Sequence, residues 1–373
     1  MRAIVYAKYG PPEVLQLKEV EKPVPKSNEV LVKIYSTTVS AGDWRLRKGD
    51  PFLARLFNGL FKPKRVKILG FELAGIIEEA GEKVKSFKKG DSVFASCGLT
   101  FGAYADYKCL PENDLIALKP SNMTFEEAAT VPIGALTALR FLKKAGVKNG
   151  DNILIYGASG SVGVFAVQLG KYFGGNVTAI CSTTNLDLVK SLGADNVVDY
   201  TMEDFTKTEI RFDIIFDAVG KTSESVCKTL LKPKGKYVSV FGSAAKTSND
   251  LLSLKELIES GKLKTVIDRR YTLEQIREVT AQPIEIIHII GGGANNHFLN
   301  QLTADATGLR VIAGPTEATA IGNILIQARA LGYVGSVNEI RQIIAGSFDL
   351  VQFNPTNDLD WESAYNRYLE IMV

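Results

Sequence analysis

A buried-strand run, Asn152-Ile153-Leu154-Ile155-Tyr156, passes directly into Gly157-Ala158-Ser159-Gly160-Ser161-Val162-Gly163 and then into a helical stretch from Val162 to Phe173. A glycine turn between a strand and a helix restricts the fold more than any other feature of the chain. Glycines let the backbone approach a pyrophosphate, and the helix start offers free N–H groups and a positive dipole end. In this context the G-x-x-G-x-x-G spacing predicts a dinucleotide site over Gly157, Ala158, Ser159, Gly160, Ser161, Val162 and Gly163.

The surrounding pattern supports a parallel sheet. Strands are predicted at Val177 to Cys181, Asn196 to Val198, Ile214 to Asp217 and Tyr237 to Phe241, and a helix over Asn185 to Leu192. Strands that alternate with helices build such a sheet with crossover helices. Upstream, Thr124 opens a helix with Glu126 and Glu127 in its first turn, where they suit the dipole. Pro132 and Gly134 are expected to interrupt it before a second stretch from Leu136 to Ala145. The first 123 residues read as short strands (2–7, 30–36, 68–78, 91–95 and 103–109) broken by glycine and proline, a barrel-like β domain. Beyond the sheet, 251–260 reads as a helix on a Leu/Ile stripe, and Thr272 as the cap of another that begins at Leu273.

The strand at 177–181 ends in Cys181-Ser182-Thr183-Thr184-Asn185. An acidic residue there would bind the ribose 2′-hydroxyl of NAD. The small hydroxyls of Ser182 and Thr183 leave room for a 2′-phosphate instead, so NADPH is the expected cofactor.

Charge divides the chain. No lysine follows Lys264, and residues 281–373 hold 4 Arg against 9 acidic residues, whereas residues 1–280 hold 40 basic and 32 acidic. Such a break predicts a domain boundary near Ala281. The overall net charge of +3 argues against a nucleic-acid partner. No apolar run is long enough to span a membrane, and Met1 to Lys8 is too short an apolar start for a secretory signal, so a cytoplasmic location without a membrane partner is expected. Cys97, Cys109, Cys181 and Cys227 show no repeated spacing and read as ordinary thiols.

With Gly90-Asp91 and Val93, Ala128 to Ala138, the glycine turn, Ser191-Leu192-Gly193-Ala194-Asp195, Asp217-Ala218-Val219-Gly220 and Val240-Phe241-Gly242, residues 1–280 resemble the medium-chain dehydrogenase/reductase superfamily, in its zinc-independent, quinone-oxidoreductase-like branch. The resemblance implies an α/β protein: a GroES-like catalytic domain (1–123), a Rossmann domain (124–245) and a return segment (246–280). It implies that Ala218, Val219, Phe241, Gly242 and Ser243 lie near the nicotinamide, with Thr137 close to its amide and Tyr200 near the adenosine phosphate. Zinc requires thiolates, imidazoles or carboxylates. Ser40 and Phe71 stand where zinc-dependent members carry cysteine and histidine, and no histidine precedes His288, so no metal is expected. Hydride transfer from NADPH to a quinone, an enone or another small carbonyl-conjugated substrate is the implied reaction. Ser40, Asp43 and Arg45 are the candidate catalytic residues, Arg45 falling in a segment where quinone reductases often carry tyrosine. A homodimer would use the outer sheet edge, and Ser243 to Ser248 leads into the next helix without the strand-containing stretch that relatives have there.

Residues 281–373 resemble the C-terminal end of FGGY sugar kinases, rhamnulokinase in particular, through Gly291-Gly292-Gly293-Ala294-Asn295-Asn296 and Gly314 to Asn323. This implies an extra α/β fragment of the actin-like kinase type. The kinase base motif is Asp-x-Gly, and no Asp in the chain has Gly two positions later. His288 and His297 read as structural. Three readings follow: an active reductase with an added tail, a nucleotide-binding fusion impaired in catalysis, and, least favoured, a carbohydrate kinase.

Overall fold

The computed structural model describes residues 1–241, 248–275, 286–307, 309–331, 333–335 and 337–356. The chain divides into two compact units, 1–281 and 282–373.

In the first unit, alternating Val, Ile and Leu residues form an antiparallel five-stranded sheet ordered Tyr107–Pro111, Glu29–Thr37, Glu72–Ala80, Ser92–Ser96 and Ile116–Leu118. A two-stranded ribbon, Arg2–Val5 with Gln16–Glu19, joins it through bridges from Ala3 to Ala105 and from Val5 to Ile68. The second sheet is parallel throughout, ordered Asn196–Asp199, Asn176–Cys181, Asn152–Tyr156, Phe212–Asp217 and Leu231–Ser239. The fold is therefore the GroES-like plus Rossmann combination. One core joins the two layers: Ala74, Phe94 and Ala117 of the antiparallel sheet share it with Leu136, Leu139, Ile153, Phe165 and Ile214.

Thr124 caps a short helix, Phe125–Ala129, in a reciprocal box with Glu127. The expected interruption falls at Thr130 rather than at Pro132 and Gly134, and the second helix starts at Val131 rather than Leu136. Pro132 and Gly134 both lie inside that helix, Val131–Ala145, with Pro132 in its first turn, where no backbone N–H is needed. Gly134 lets this helix approach its neighbour: a Cβ there would lie 2.4 Å from the Ser161 carbonyl oxygen. Other boundaries also move. The strand expected from Ile68 begins at Glu72, and the one expected at Ala103 to Cys109 runs from Tyr107 to Pro111. The last parallel strand begins at Leu231 rather than Tyr237 and stops at Ser239.

The return segment supplies a helix, Ser248–Glu259, whose Leu251, Leu254 and Ile258 enter the common core. Gln168 then exchanges two hydrogen bonds with the Lys264 backbone, and Arg2 pairs with Glu274 at 3.0 Å. Of the helix expected from Leu273, residues 273–275 form a bend and turn, and the rest lies outside the described residues, as does the first part of the strand expected from Ile284.

In the second unit Ile286–Ile289 pairs in parallel with Arg310–Ala313, which pairs antiparallel with Val351–Phe353. The helix expected from Asn295 begins at His297, after a 3-10 turn over Gly291–Asn295. Ala294, Ala304, Val311, Ala313 and Phe353 form a small separate core.

Candidate active site

The carboxyl ends of the parallel strands converge on the glycine turn. Gly157 has φ +77°, and a Cβ on it would meet the Val219 side chain at 2.6 Å. The N–H groups of Gly157 and Ala158 donate to the Ile180 carbonyl, which ties the turn to the adjacent strand. Gly163 starts the helix with its backbone against the turn: a Cβ there would lie 2.2 Å from the Gly157 oxygen and 2.6 Å from the Ala158 Cα. No side chain caps this helix, whose N-cap is Val162. The Val164 N–H donates back to the Gly160 carbonyl at 3.0 Å, and a turn of this kind at a helix start without a side-chain cap is the arrangement that receives a phosphate. Thr137 is half-buried one turn along from Gly134, the point where its helix approaches Ser161.

The loop Ala218 to Gly220 is shaped by a residue that the sequence reading did not single out. Asp217 is fully buried; its Oδ1 accepts from the Val219 and Gly220 N–H groups, at 3.1 and 2.7 Å, and its Oδ2 from the Thr222 N–H and the Tyr237 hydroxyl. Gly220, at φ +70°, lies under the Phe241 ring, where a Cβ would come within 2.0 Å. The Arg45 guanidinium stands 5.8 Å from the centre of that ring and 5.6 Å from the centre of Trp44. The structure thus brings together Gly157, Val219, Gly220, Phe241 and Arg45. Gly242 and Ser243 lie outside the described residues.

At the other end of the turn, Ser182 and Thr183 follow the strand Asn176–Cys181. The Thr183 hydroxyl donates to Asp199, which also accepts from the Thr201 hydroxyl and N–H. These donors hold the Asp199 carboxyl below the ordinary aspartate range, Thr183 first among them. A carboxylate from the neighbouring strand therefore stands where the sequence showed only hydroxyls, and the Thr183 proton is already committed. Ser182 accepts from the Asn185 amide. Tyr200 is half-exposed, its ring 6.4 Å from that of Tyr156.

Ser40 and Asp43 form a reciprocal capping box at the start of the helix Ala41–Lys48, which carries Arg45. The Ser40 hydroxyl donates to Asp43 at 2.6 Å, and the Gly70 N–H donates to the other carboxylate oxygen at 2.8 Å. Burial pushes the Asp43 carboxyl up to about 6. Glu72 is buried as well, with the Thr38 hydroxyl on one oxygen and the Ile133 N–H, 2.7 Å away, on the other. Burial, reinforced by nearby Asp43, outweighs those hydrogen bonds and pushes Glu72 up to about 8. Phe71 packs on Phe101, ring centres 4.1 Å apart. A phenyl ring, a hydroxyl bound to aspartate and a carboxyl tied to a helix start do not fit a zinc site. Among the described residues no group of three or more His, Cys, Asp or Glu is placed to hold a metal.

Family models agree with this geometry. The alcohol dehydrogenase GroES-like domain matches residues 26–120, and the zinc-binding dehydrogenase domain matches 161–284. The chain is 36% identical over 287 residues to the 2-methylene-furan-3-one reductase of Solanum lycopersicum, covering 72% of this chain and 71% of that protein. It is 34% identical over 287 residues to the chloroplastic NADPH-dependent alkenal/one oxidoreductase of Arabidopsis thaliana, covering 72% of each. The structure of the quinone oxidoreductase from Coxiella burnetii superposes with a TM-score of 0.65 at 28% identity, over 75% of this chain and 94% of that one. The chain belongs to the medium-chain dehydrogenase/reductase family and is an oxidoreductase of the quinone-oxidoreductase-like kind. A further model, the C-terminal domain of the FGGY family of carbohydrate kinases, matches 256–331 and overlaps the dehydrogenase match over 256–284.

Proposed function

We propose that this protein transfers hydride from NADPH to a quinone, an enone or a similar small carbonyl-conjugated acceptor, without zinc. The observation that carries the reading is the contiguous row from the uncapped helix start at Gly163, through Val219 on Gly157, to Phe241 on Gly220 and Arg45. When bound, the nicotinamide supplies the hydride. The protein's part is placement. The glycine turn receives the pyrophosphate, Asp217 fixes the loop beneath the reacting ring, and Phe241 with Trp44 and Arg45 borders the acceptor. Ser40 and Asp43 hold the Arg45 helix in position and act through it. Arg45 attracts the electron-rich oxygen of the acceptor.

NADPH is favoured over NADH because the loop after Cys181 carries the small hydroxyls of Ser182 and Thr183, with Asp199 beside them, and because the name of the Arabidopsis thaliana relative specifies NADPH. A second reading, a nucleotide-binding fusion impaired in catalysis, draws on the kinase-type match over 256–331 and on the strand Leu231–Ser239 at one edge of the parallel sheet. Separate titrations with NADPH, NADH and ATP, followed by assays of NADPH oxidation with a quinone and with an enone, test the two. Turnover supports the first; NADPH binding without turnover supports the second; ATP binding alone overturns both.

A further inference from the structure

Beyond the cofactor cleft, the segment after the Arg45 helix is built inside out. Its short helix, Leu53–Asn58, turns Ala54, Phe57 and Asn58 inward, where Asn58 bonds the Tyr6 hydroxyl and the Val66 N–H, at 2.7 Å each. The other side carries Phe52, Leu53, Leu56, Leu60 and Phe61, exposed by 61, 69, 62, 41 and 89%. The display is held in place: the Tyr9 hydroxyl donates to the Gly59 carbonyl, and the Lys64 N–H to that of Asn58. Around it stand exposed Lys48, Lys62, Lys64, Arg65 and Lys67, with Asp50 the one exposed acid over residues 48–67. None of these five cations enters an ion pair among the described residues.

We propose that this face, residues 48–67, docks on the surface of a bilayer containing anionic phospholipid. Lys48 lies over the Trp44 ring and Arg65 over the Phe57 ring, and large apolar side chains among cations that enter no ion pair match the headgroup boundary, which accepts apolar groups a few ångströms deep while its phosphates meet lysine and arginine. The charge decides against a second copy, since a two-fold contact would bring five cations against five. No described helix is long and apolar enough to cross a membrane, which does not bear on surface adhesion.

The test is co-sedimentation of the full chain with phosphatidylcholine vesicles, with and without phosphatidylserine. The face predicts binding to the phosphatidylserine vesicles, roughly fivefold weaker for each cation removed and weakened by salt. Leu56→Ser with Phe61→Ser lowers it by about tenfold or more, and Lys62→Glu with Lys64→Glu abolishes it, while NADPH affinity stays unchanged in both. Failure to bind either vesicle, equal binding to both, or binding indifferent to the variants overturns the proposal. So does a change in oligomeric state on Leu56→Ser with Phe61→Ser, which would assign the face to a second copy. Capture of the wild type by an acidic polypeptide in place of the vesicles would assign it to a protein.

Discussion

Replacing Glu72 by glutamine should remove a pH dependence of stability that the fold otherwise carries. An unfolded glutamate ionises near 4.5, whereas burial keeps the proton on Glu72 up to about 8. Between those values the folded state holds a proton that the unfolded state has lost, so stability is fully present below about 4.5 and declines as the pH rises to about 8. At about 1.36 kcal/mol per pH unit the whole decline is at most about 5 kcal/mol, and about 3 kcal/mol of it falls between pH 6 and 8. Glutamine reproduces the neutral acid: its oxygen accepts from the Ile133 N–H, and its amide donates to the Thr38 hydroxyl, the two partners that Glu72 has. The variant should match the wild type near pH 5 and exceed it by pH 8. Urea unfolding at both pH values reads this as a midpoint gap that opens by roughly 1 M. Asp43, raised to about 6, contributes to both proteins and cancels in the difference. Midpoints that move in parallel with pH in the two proteins would refute the assignment of Glu72 as a buried neutral acid.

Gly163→Ala sets a Cβ against the Gly157 oxygen and Ala158 backbone, so NADPH affinity should fall by about 100-fold or more in a fluorescence titration, a loss of about 3 kcal/mol. Asp217→Ala removes the acceptor of several loop N–H groups and should lower both stability, by about 2 kcal/mol or more in urea unfolding, and NADPH turnover. Asp199→Asn removes a negative charge beside the Ser182–Thr183 loop and should raise the NADPH:NADH affinity ratio, measured by calorimetry with each cofactor. Arg45→Ala should raise KM for a quinone with little change in NADPH affinity, as steady-state kinetics and titration would show.

The parts of the site legible in the sequence are the local ones. A glycine turn between a strand and a helix is a contiguous pattern, and its backbone demands at Gly157 and Gly163 belong to those residues alone. Capping is equally local, as at Thr124 with Glu127. Long-range pairings were not legible. Asp199 lies on a different strand from Thr183, and only the parallel pairing of Asp199 with Cys181 brings its carboxylate to that loop. Asp217 at a strand end, followed by Gly220, carried a usable sign: such an aspartate commonly takes the N–H groups of its own loop. The break between the two helices was legible but its position was not: Pro132 sits in the opening turn of the second helix, and Gly134 permits a close approach within it. The first part of the last parallel strand was hidden because Lys232-Pro233-Lys234-Gly235-Lys236 lacks any apolar alternation; its pairing shows a register shift between Phe212 and Ile214.

Everything proposed for this protein rests on hydride transfer from a nicotinamide held at the Gly157–Gly163 turn. The direct measurement is the decay of NADPH absorbance on mixing the full chain with NADPH and a quinone or enone, with Gly163→Ala as the control. Decay is expected with the wild type, and at subsaturating NADPH a decay slower by about 100-fold or more with the variant. Hydride transfer at this turn is contradicted if neither acceptor is reduced although NADPH binds, or if ATP binds and NADPH does not.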